Sequence, residues 1–218
     1  MKKYIAVAGN IGVGKSTLVT KLSAKLEWEP FYEPVQDNPY LADFYKDMKT
    51  WSFHSQIFFL AKRLNAHLRL FQHPTSVIQD RSIYEDAEIF ARNLYVQGYL
   101  SERDYGTYLE IYESIIQTLP HPDLVIYLRA TEDTLLKRIT TRGRQYEKGI
   151  AEGYLKALND LYEIWISNFV LCPILAVPAD ELDFVAHPDH LNLIACKVNE
   201  KLSGKDEVVF DEEEYSTV

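Results

Sequence analysis

The sequence predicts an α/β fold in which a parallel sheet of about five strands lies between helices. An apolar run at residues 4–8 leads into a glycine-rich turn and then into a helical pattern that places Leu18, Val19 and Leu22 on one face. Further short apolar runs alternate with longer segments of helical periodicity, and the run at residues 124–128 is almost wholly apolar. Because strands of a parallel sheet are buried on both faces, runs of this kind indicate such a sheet.

The other elements are predicted from periodicity and local signals. The segment 51–71 carries one apolar stripe, Ser82 and Glu85 form a capping box, and Thr131 caps the helix that follows it. Residues 142–150 are charged and punctuated by glycine, which predicts a mobile loop. Strands are predicted at residues 31–32, 76–80 and 174–177, and helices at residues 39–47, 51–71, 82–97, 101–119, 131–141, 152–169 and 188–202.

Length and charge indicate one domain with an acidic tail. At 218 residues the chain fits a single domain, predicted at residues 1–204, and residues 205–218 are predicted to be a disordered tail because they carry most of the net charge of −9. The near-neutral body argues against nucleic acid as a partner, and no apolar run reaches the ~20 residues of a membrane span. Cys172 and Cys196 form no Cys-x-x-Cys pair, which favours the reducing cytoplasm.

The glycine-rich turn matches a phosphate-binding P-loop, G-x-x-x-x-G-K-[ST], between a strand and a helix. Glycines let the backbone curl so that successive N–H groups face a polyphosphate, and the helix N-terminus adds its dipole. Lys15 supplies a charge for the β- and γ-phosphates, and the hydroxyl of Ser16 is placed to ligate Mg²⁺. A plain turn would need neither residue, so we predict binding of ATP with Mg²⁺. The predicted phosphate-binding residues are Gly9, Asn10, Ile11, Gly12, Val13, Gly14, Lys15, Ser16 and Thr17.

Three charged residues lie at the ends of predicted strands, where a doubly wound sheet gathers its binding site. Glu33 follows the second strand and is predicted to be a base near the phosphoryl acceptor; the alternative is a solvated loop carboxylate. Asp80 ends the third strand, where a Walker-B-type carboxylate reaches Mg²⁺, with a helix cap as the alternative. Arg81 beside it is predicted to steady the acceptor oxygen.

A basic cluster lies near the predicted loop. It consists of Arg138, Arg142 and Arg144, and the first two share a helix face if the helix extends that far. Three guanidinium groups neutralise charge on transferring phosphoryl oxygens, so the cluster predicts an arginine-rich lid over the polyphosphate. A solvated basic face is the alternative.

Two pairs of residues on neighbouring predicted helices are candidates for reading a nucleobase. Gln56 and Arg63 are seven residues apart on one helix, and Asp86 and Phe90 are four apart on the next. An amide, a guanidinium, a carboxylate and an aromatic ring facing one cavity would select a base. Spacing alone leaves a second reading open, in which the polar residues are solvated and Phe90 belongs to the core.

With these residues assembled, the chain resembles the deoxyribonucleoside kinase family, which comprises the deoxycytidine, deoxyguanosine and bacterial deoxyadenosine kinases. The resemblance runs from the P-loop to about residue 169 and implies a P-loop kinase fold. It also implies a homodimer that forms through the helices at residues 51–71 and 82–97. Besides the P-loop, the motifs that carry it are Glu33-Pro34-Val35, Trp51-Ser52-Phe53 with Gln56, Asp80-Arg81-Ser82, and Arg142-Gly143-Arg144 through Glu147-Lys148-Gly149-Ile150.

The resemblance implies a role for each matching residue. Glu33 looks like the base that takes the proton from the nucleoside 5′-hydroxyl, and Arg81 looks like the arginine that holds that oxygen and Glu33; with Lys15 they are the expected catalytic residues. Tyr45 and Glu147 match the pair that hydrogen-bonds the sugar 3′-hydroxyl. The base-reading trio, the stacking ring and the lid arginines match Gln56, Arg63 and Asp86, then Phe90, then Arg138, Arg142 and Arg144.

The implied activity is transfer of the γ-phosphate of ATP to the 5′-hydroxyl of a deoxynucleoside in nucleotide salvage. Deoxyadenosine is the expected substrate, because Ser55 stands where several relatives carry an aromatic residue and leaves room for a two-ring base. Asp80, where many relatives carry Glu, is a departure with a shorter reach. Two alternatives stay open: a thymidylate-type nucleoside monophosphate kinase, and a nucleotide-binding regulator without turnover.

Overall fold

The computed structural model of the chain describes residues 2–32, 38–144, 153–206 and 208–215. Within these ranges the chain forms a five-stranded sheet in which all strands run parallel, as predicted. The strands are β1 (Tyr4–Gly9), β2 (Glu29–Phe31), β3 (Val77–Asp80), β4 (Leu124–Arg129) and β5 (Ile174–Pro178).

The strand order is β2-β3-β1-β4-β5, so β1 lies at the centre with β3 on one side and β4 on the other. In the pairing of β1 with β3, Val7 lies opposite Asp80. In the pairing of β1 with β4, Gly9 lies opposite Leu128. The order reverses next to β1, which opens a crevice beyond the carboxyl ends of the strands. The P-loop and the Asp80–Arg81 turn therefore leave the sheet side by side at this crevice.

Helices cover both faces of the sheet, because the side chains of β1 alternate between two cores. Tyr4, Ala6 and Ala8 pack in one core, and Ile5 and Val7 pack in the other. The helices are α1 (Lys15–Leu26), α2 (Leu41–Lys46), α3 (Met48–Gln72), α4 (Ile83–Glu85), α5 (Arg92–Val96), α6 (Glu102–Ile116), α7 (Glu132–Arg142), α8 (Tyr154–Asn168), α9 (Pro188–Leu202) and α10 (Glu212–Tyr215).

The helix predicted at residues 82–97 contains a π-helical turn. The α4 segment continues through a π-helical turn at Asp86–Ala91 into α5. The predicted capping box at its start is present. The side chain of Ser82 accepts from the backbone N–H of Glu85, and the side chain of Glu85 accepts from the backbone N–H of Ser82 at 2.8 Å. The π-turn was not predicted, because residues 82–97 were interpreted as one regular helix from the capping box at their start.

The second strand differs from its prediction by starting and ending earlier. The strand β2 pairs with β3 from Glu29 opposite Val77 to Phe31 opposite Gln79, and it ends before Tyr32. Pro30 is tolerated here because β2 is the edge strand of the sheet, where one N–H is not needed for the ladder. Glu33 therefore does not directly follow the strand, and residues 33–37 lie outside the described residues.

The acidic tail also differs from its prediction over residues 208–215. Val208 is buried in the core that contains α9, and Phe210 packs against the same core. Lys197 of α9 lies 2.7 Å from Glu214 of α10. Composition predicted disorder because the segment is acidic, but its two apolar side chains anchor it to the domain and a lysine pairs with one of its carboxylates.

Burial of His67 on α3 predicts that acid destabilises the fold. The ring is almost fully buried, its Nε2 lies 3.1 Å from the carbonyl oxygen of Pro120, and the edge of Tyr4 packs on it. Burial, and to a lesser degree the neighbouring His121, lowers the pKa of His67 below its usual value of 6.5, although the Pro120 carbonyl opposes this. Below the unfolded pKa only the unfolded chain gains the proton. We therefore expect the free energy of unfolding to fall by up to about 1.4 kcal/mol per pH unit as the pH drops below this value.

Urea unfolding at several pH values between 8 and 5 measures this slope. The variant His67→Phe removes the titrating group, and its slope should be shallower than that of the wild-type chain over the same range. Equal slopes for the two proteins would assign the acid sensitivity to other groups.

Candidate active site

A cavity of about 1010 Å³ opens at the carboxyl ends of β1 and β3. Its wall contains most of the residues that the sequence predicts for the site, brought together from the P-loop, α3, the Asp80–Arg81 turn, the π-turn and α7. Those on the wall are Ile11, Gly12, Val13, Gly14, Lys15, Ser16, Thr17, Tyr45, Gln56, Asp80, Arg81, Asp86, Phe90, Arg138, Arg142 and Arg144.

The P-loop wraps around the start of α1 with glycine at the positions that need it. Gly12 has a φ of 85°, and a Cβ there would lie 2.7 Å from Ile139 of α7. Lys15 is largely buried, and its ammonium group donates to the carbonyl oxygens of Gly9 and Asn10 at 2.7 and 2.9 Å. Two carbonyl oxygens of the loop thus hold the ammonium group of Lys15.

The predicted metal-binding residues contact each other. The hydroxyl of Ser16 donates to Oδ2 of Asp80 at 2.5 Å. The other carboxylate oxygen, Oδ1, is buried and has no hydrogen-bond partner within the described parts of the chain. A hydroxyl and a buried carboxylate with one uncommitted oxygen form an oxygen donor set that suits Mg²⁺.

Two of the nine predicted phosphate-binding residues, Gly9 and Asn10, do not line the cavity. The N–H of Gly9 donates to Oε1 of Glu85 at 3.2 Å. The amide of Asn10 donates to the carbonyl oxygen of Leu155 at 2.8 Å and to Oδ1 of Asn159 at 2.7 Å. Their polar groups are therefore used to fix the loop to α4 and α8, because this end of the loop still belongs to the buried strand.

Arg81 adopts a backbone conformation that is unusual for a residue other than glycine. Its φ is 65°, and its N–H donates to the carbonyl oxygen of Val7 at 3.0 Å. Its guanidinium carbon lies 4.2 Å from the centre of the Phe90 ring, a cation–π contact. The strained turn thus directs the guanidinium into the cavity, consistent with a residue held in place for function.

Arg63 lies behind the cavity wall, contrary to its predicted place at the base edge. Its Nε donates to Oδ2 of Asp86 at 2.6 Å, and both side chains are almost fully buried. Only Asp86 lines the cavity. The guanidinium therefore acts through the carboxylate, which it orients towards the ligand space. Gln56 does line the cavity, and its buried Oε1 has no hydrogen-bond partner within the described ranges.

Ser55 on the cavity wall takes part in a hydrogen bond that the sequence did not suggest. Ser55 is fully buried, lines the cavity and accepts from the amide of Asn38 at 3.0 Å. Oδ1 of Asn38 in turn accepts from the N–H of Tyr40 at 2.9 Å, before α2 begins. Tyr154 also lines the cavity, and burial raises its pKa to about 12.

The arginine cluster lines the outer part of the cavity beside the P-loop. Arg138 donates to the carbonyl oxygens of Val13 and Ala179, each at 2.8 Å, so it joins α7 to the P-loop and to β5. Arg142 and Arg144 lie further along the wall. Leu182, Asp183, Phe184 and Val185 complete this side, and they were missed because no charge motif marks them in the sequence.

Two predicted residues cannot be placed. Glu33, with Pro34 and Val35, and Glu147, with Lys148, Gly149 and Ile150, lie outside the described residues. Tyr32, the last described residue before Glu33, lines the cavity, and its hydroxyl lies 2.9 Å from Oγ1 of Thr20. Arg144, the last described residue before the second gap, lines it too.

Comparisons with known proteins agree on one family. The family model for deoxynucleoside kinases matches residues 5–203. A deoxyadenosine/deoxycytidine kinase of Bacillus subtilis is 42% identical over 183 residues, which cover 83% of this chain and 84% of the relative. A deoxyguanosine kinase of the same organism is 35% identical, over 90% of this chain and 96% of the relative. The structure of a deoxyadenosine kinase from M. mycoides with bound dATP is 36% identical, with a TM-score of 0.81 over 90% of this chain and 99% of that one.

Proposed function

The chain belongs to the deoxynucleoside kinase family, and from this premise we propose that it phosphorylates deoxyadenosine in preference to the other deoxynucleosides. Membership makes the chain an ATP-dependent phosphotransferase, and it decides against the thymidylate-type alternative and against a regulator without turnover. The observation that carries the preference is the combination of Ser55, Gln56 and Asp86 on one cavity wall.

We propose that phosphoryl transfer takes place between the two turns that leave β1 and β3. The P-loop with Lys15 and the lid arginines would bind the phosphates of ATP, and Arg81 would hold the 5′-oxygen of the nucleoside. Glu33 is proposed as the general base, and Tyr45 with Glu147 as the pair that binds the 3′-hydroxyl. Adjacency of the P-loop and the Asp80–Arg81 turn at the sheet edge supports this division of the cavity.

The chemistry of the inner cavity favours bases that carry an exocyclic amine. Asp86 accepts hydrogen bonds only, so it matches the amine of adenine or cytosine. The amide of Gln56 offers an oxygen that accepts and an NH₂ group that donates, which suits the two adjacent polar positions of adenine. Ser55 is small, which supports a two-ring base, and the ring of Phe90, which also lines the cavity, is a surface for stacking. Thymine would set a carbonyl and a methyl group against a buried carboxylate, and such a mismatch costs about 1–3 kcal/mol or more.

A phosphorylation panel with ATP and Mg²⁺ tests the proposal. We expect kcat/KM to be highest for deoxyadenosine, lower for deoxyguanosine and deoxycytidine, and lowest for thymidine. The corresponding monophosphates, included as acceptors, should not be phosphorylated at a comparable rate. A panel in which thymidine gives the highest kcat/KM would contradict the Asp86 argument.

The variant Ser55→Phe separates the contribution of cavity width from that of polar matching. Filling the position should lower kcat/KM for both purine nucleosides at least about tenfold more than for deoxycytidine, because only the two-ring bases need the space. An equal loss for all four substrates would mean that the substitution disturbs α3 rather than the base site.

We propose Mg²⁺ as the cofactor, held by Ser16 and Asp80. The support is the buried, unpartnered Oδ1 of Asp80 beside the Ser16 hydroxyl. A bound magnesium ion would neutralise charge on the β- and γ-phosphates of ATP. Lys15 and the backbone of the P-loop would supply the other contacts to the phosphates.

We propose that the chain forms a homodimer through α3 and α5. Apolar side chains remain exposed on these helices, including Leu68 and Phe71 on α3 and Tyr95 and Val96 on α5. Light scattering should report a mass near twice the 25.3 kDa of the chain. The variant Leu68→Glu should shift the mass towards that of the monomer, and a monomer already in the wild-type protein would remove the proposal.

The cytoplasm is the proposed location. Cys172 and Cys196 are both free thiols, which suits a reducing compartment. None of the described helices is both long and apolar enough to cross a membrane. The excess of acidic residues supports the further proposal that nucleic acid is not a partner.

A further inference from the structure

We propose that Glu85 is a positioning residue that sets the distance between the P-loop and the turn that carries Arg81. The proposal rests on the phosphoryl transfer proposed above, because it concerns how the donor and acceptor halves of that site are held together. Glu85 lies in the first turn of the helix after β3, it is fully buried, and it does not line the cavity. Any effect on the reaction must therefore pass through the groups it binds.

The carboxylate of Glu85 bridges the two turns at the sheet edge. Oε1 accepts from the N–H of Gly9 at 3.2 Å, at the entrance of the P-loop. Oε2 accepts from the N–H of Ser82 at 2.8 Å, and the Ser82 hydroxyl lies 3.3 Å away. Ser82 directly follows Arg81, so one side chain holds the base of the phosphate-binding loop and the base of the turn that presents the guanidinium.

Tyr162 of α8 makes this bridge a three-element junction. Its hydroxyl lies 2.8 Å from Oε1 of Glu85 and 2.9 Å from the carbonyl oxygen of Gly9. The same carbonyl accepts from the ammonium group of Lys15 at 2.7 Å. The N–H of Gly9 is thus bound by Glu85, and the carbonyl oxygen of Gly9, which orients Lys15, lies within hydrogen-bonding distance of the Tyr162 hydroxyl.

The geometry requires a carboxylate rather than any polar side chain of this shape. Each oxygen of Glu85 faces a backbone N–H, and a backbone N–H cannot turn around to accept a hydrogen bond. A glutamine at this position would have to set its amide NH₂ against the N–H of Gly9 or that of Ser82. One of the two turns would then lose its anchor and move away from the other.

Such a movement would affect transfer more than binding. Each half of the site would still bind its own ligand, but the reacting oxygen and the γ-phosphorus would no longer be held at reacting distance. A misplacement of about 1 Å costs on the order of 100-fold in rate. A simple helix cap, the other role that Glu85 fills, predicts lower stability with an unchanged rate per folded molecule.

The variant Glu85→Gln tests the proposal against Glu110→Gln as the matched control. Glu110 is an exposed carboxylate on α6 that does not line the cavity. For Glu85→Gln we expect kcat to fall at least about tenfold at a temperature where circular dichroism shows a folded chain. Dissociation constants for ATP and for deoxyadenosine, measured separately by calorimetry, should stay within about threefold of the wild type. The control should keep the wild-type kcat.

The variant Tyr162→Phe is a second, milder test in case Glu85→Gln does not fold. It leaves the carboxylate in place and removes one hydroxyl, and we expect a fall in kcat of about three- to tenfold with unchanged dissociation constants. A folded Glu85→Gln, or Tyr162→Phe, with the wild-type kcat would overturn the inference. A wild-type chain that phosphorylates no deoxynucleoside would instead overturn the proposed function, so the two failures are distinguishable.

Discussion

The substitution Glu33→Gln is expected to lower kcat by about 10²- to 10⁴-fold, because loss of a general base typically has this effect. Glutamine keeps the shape of the side chain and one hydrogen bond, but it cannot take the proton from the 5′-hydroxyl. Arg81, which lines the cavity, would still hold the acceptor oxygen. Nucleoside affinity should therefore change little, and steady-state kinetics with deoxyadenosine and ATP measure both quantities.

A matched control is available four residues upstream. Glu29 is an exposed carboxylate in the edge strand β2, and Glu29→Gln should leave kcat unchanged. The role of Glu33 as the base would be excluded if Glu33→Gln retained activity within about threefold of the wild type. The proposal for Glu33 rests on its match to the family motif, since residues 33–37 are outside the described ranges.

Removing one partner of the Arg63–Asp86 pair should have the largest effect on stability. The side chains are 3% and 4% exposed, so Arg63→Met would leave the Asp86 carboxylate buried without its guanidinium. Breaking a buried pair in this way costs about 3–5 kcal/mol of the free energy of unfolding. Urea unfolding measures the loss, and kcat/KM for deoxyadenosine should fall as well because Asp86 loses its orientation.

The double variant Arg63→Met/Asp86→Leu separates stability from recognition. Replacing both charges by apolar side chains of similar size is often neutral or stabilising, so most of the lost stability should return. The activity should not return, because Asp86 is the group that faces the base. Recovery of deoxyadenosine kinetics in the double variant would show that the pair serves the fold alone.

Those parts of the site that depend on local sequence could be predicted. The P-loop spacing predicted the glycine-rich turn between β1 and α1, and the Ser82–Glu85 spacing predicted the capping box that is present. In each case a short segment carries its own geometry, because the glycine conformations and the cap are set by residues a few positions apart. The order of strands and helices followed from apolar periodicity for the same reason.

Those features of the site that depend on contacts between distant elements could not be predicted. Spacing places Arg63 and Asp86 on their helices but does not say whether the charges face a ligand or each other, and here they pair. Asn10 matches the P-loop pattern, yet its amide contacts α8, more than 140 residues further along the chain. Leu182–Val185 carry no motif and reach the cavity wall from the segment after β5, where the ring of Phe184 lies near Gly14.

The π-turn at Asp86–Ala91 has a consequence for how this helix tolerates insertions and deletions. Each residue of an α-helix turns the chain by about 100°, so removing one residue rotates everything beyond it by that angle. The extra residue of the π-turn lets Asp86 and Phe90 face the cavity while Ala91 and Leu94 stay fully buried. A one-residue deletion within the π-turn would restore a regular α-helical ladder and keep the flanking segments in phase, whereas a deletion before or after it would rotate one face by about 100°. In evolutionary terms, the π-turn is the place where this helix can gain or lose one residue without turning Asp86 and Phe90 away from the cavity.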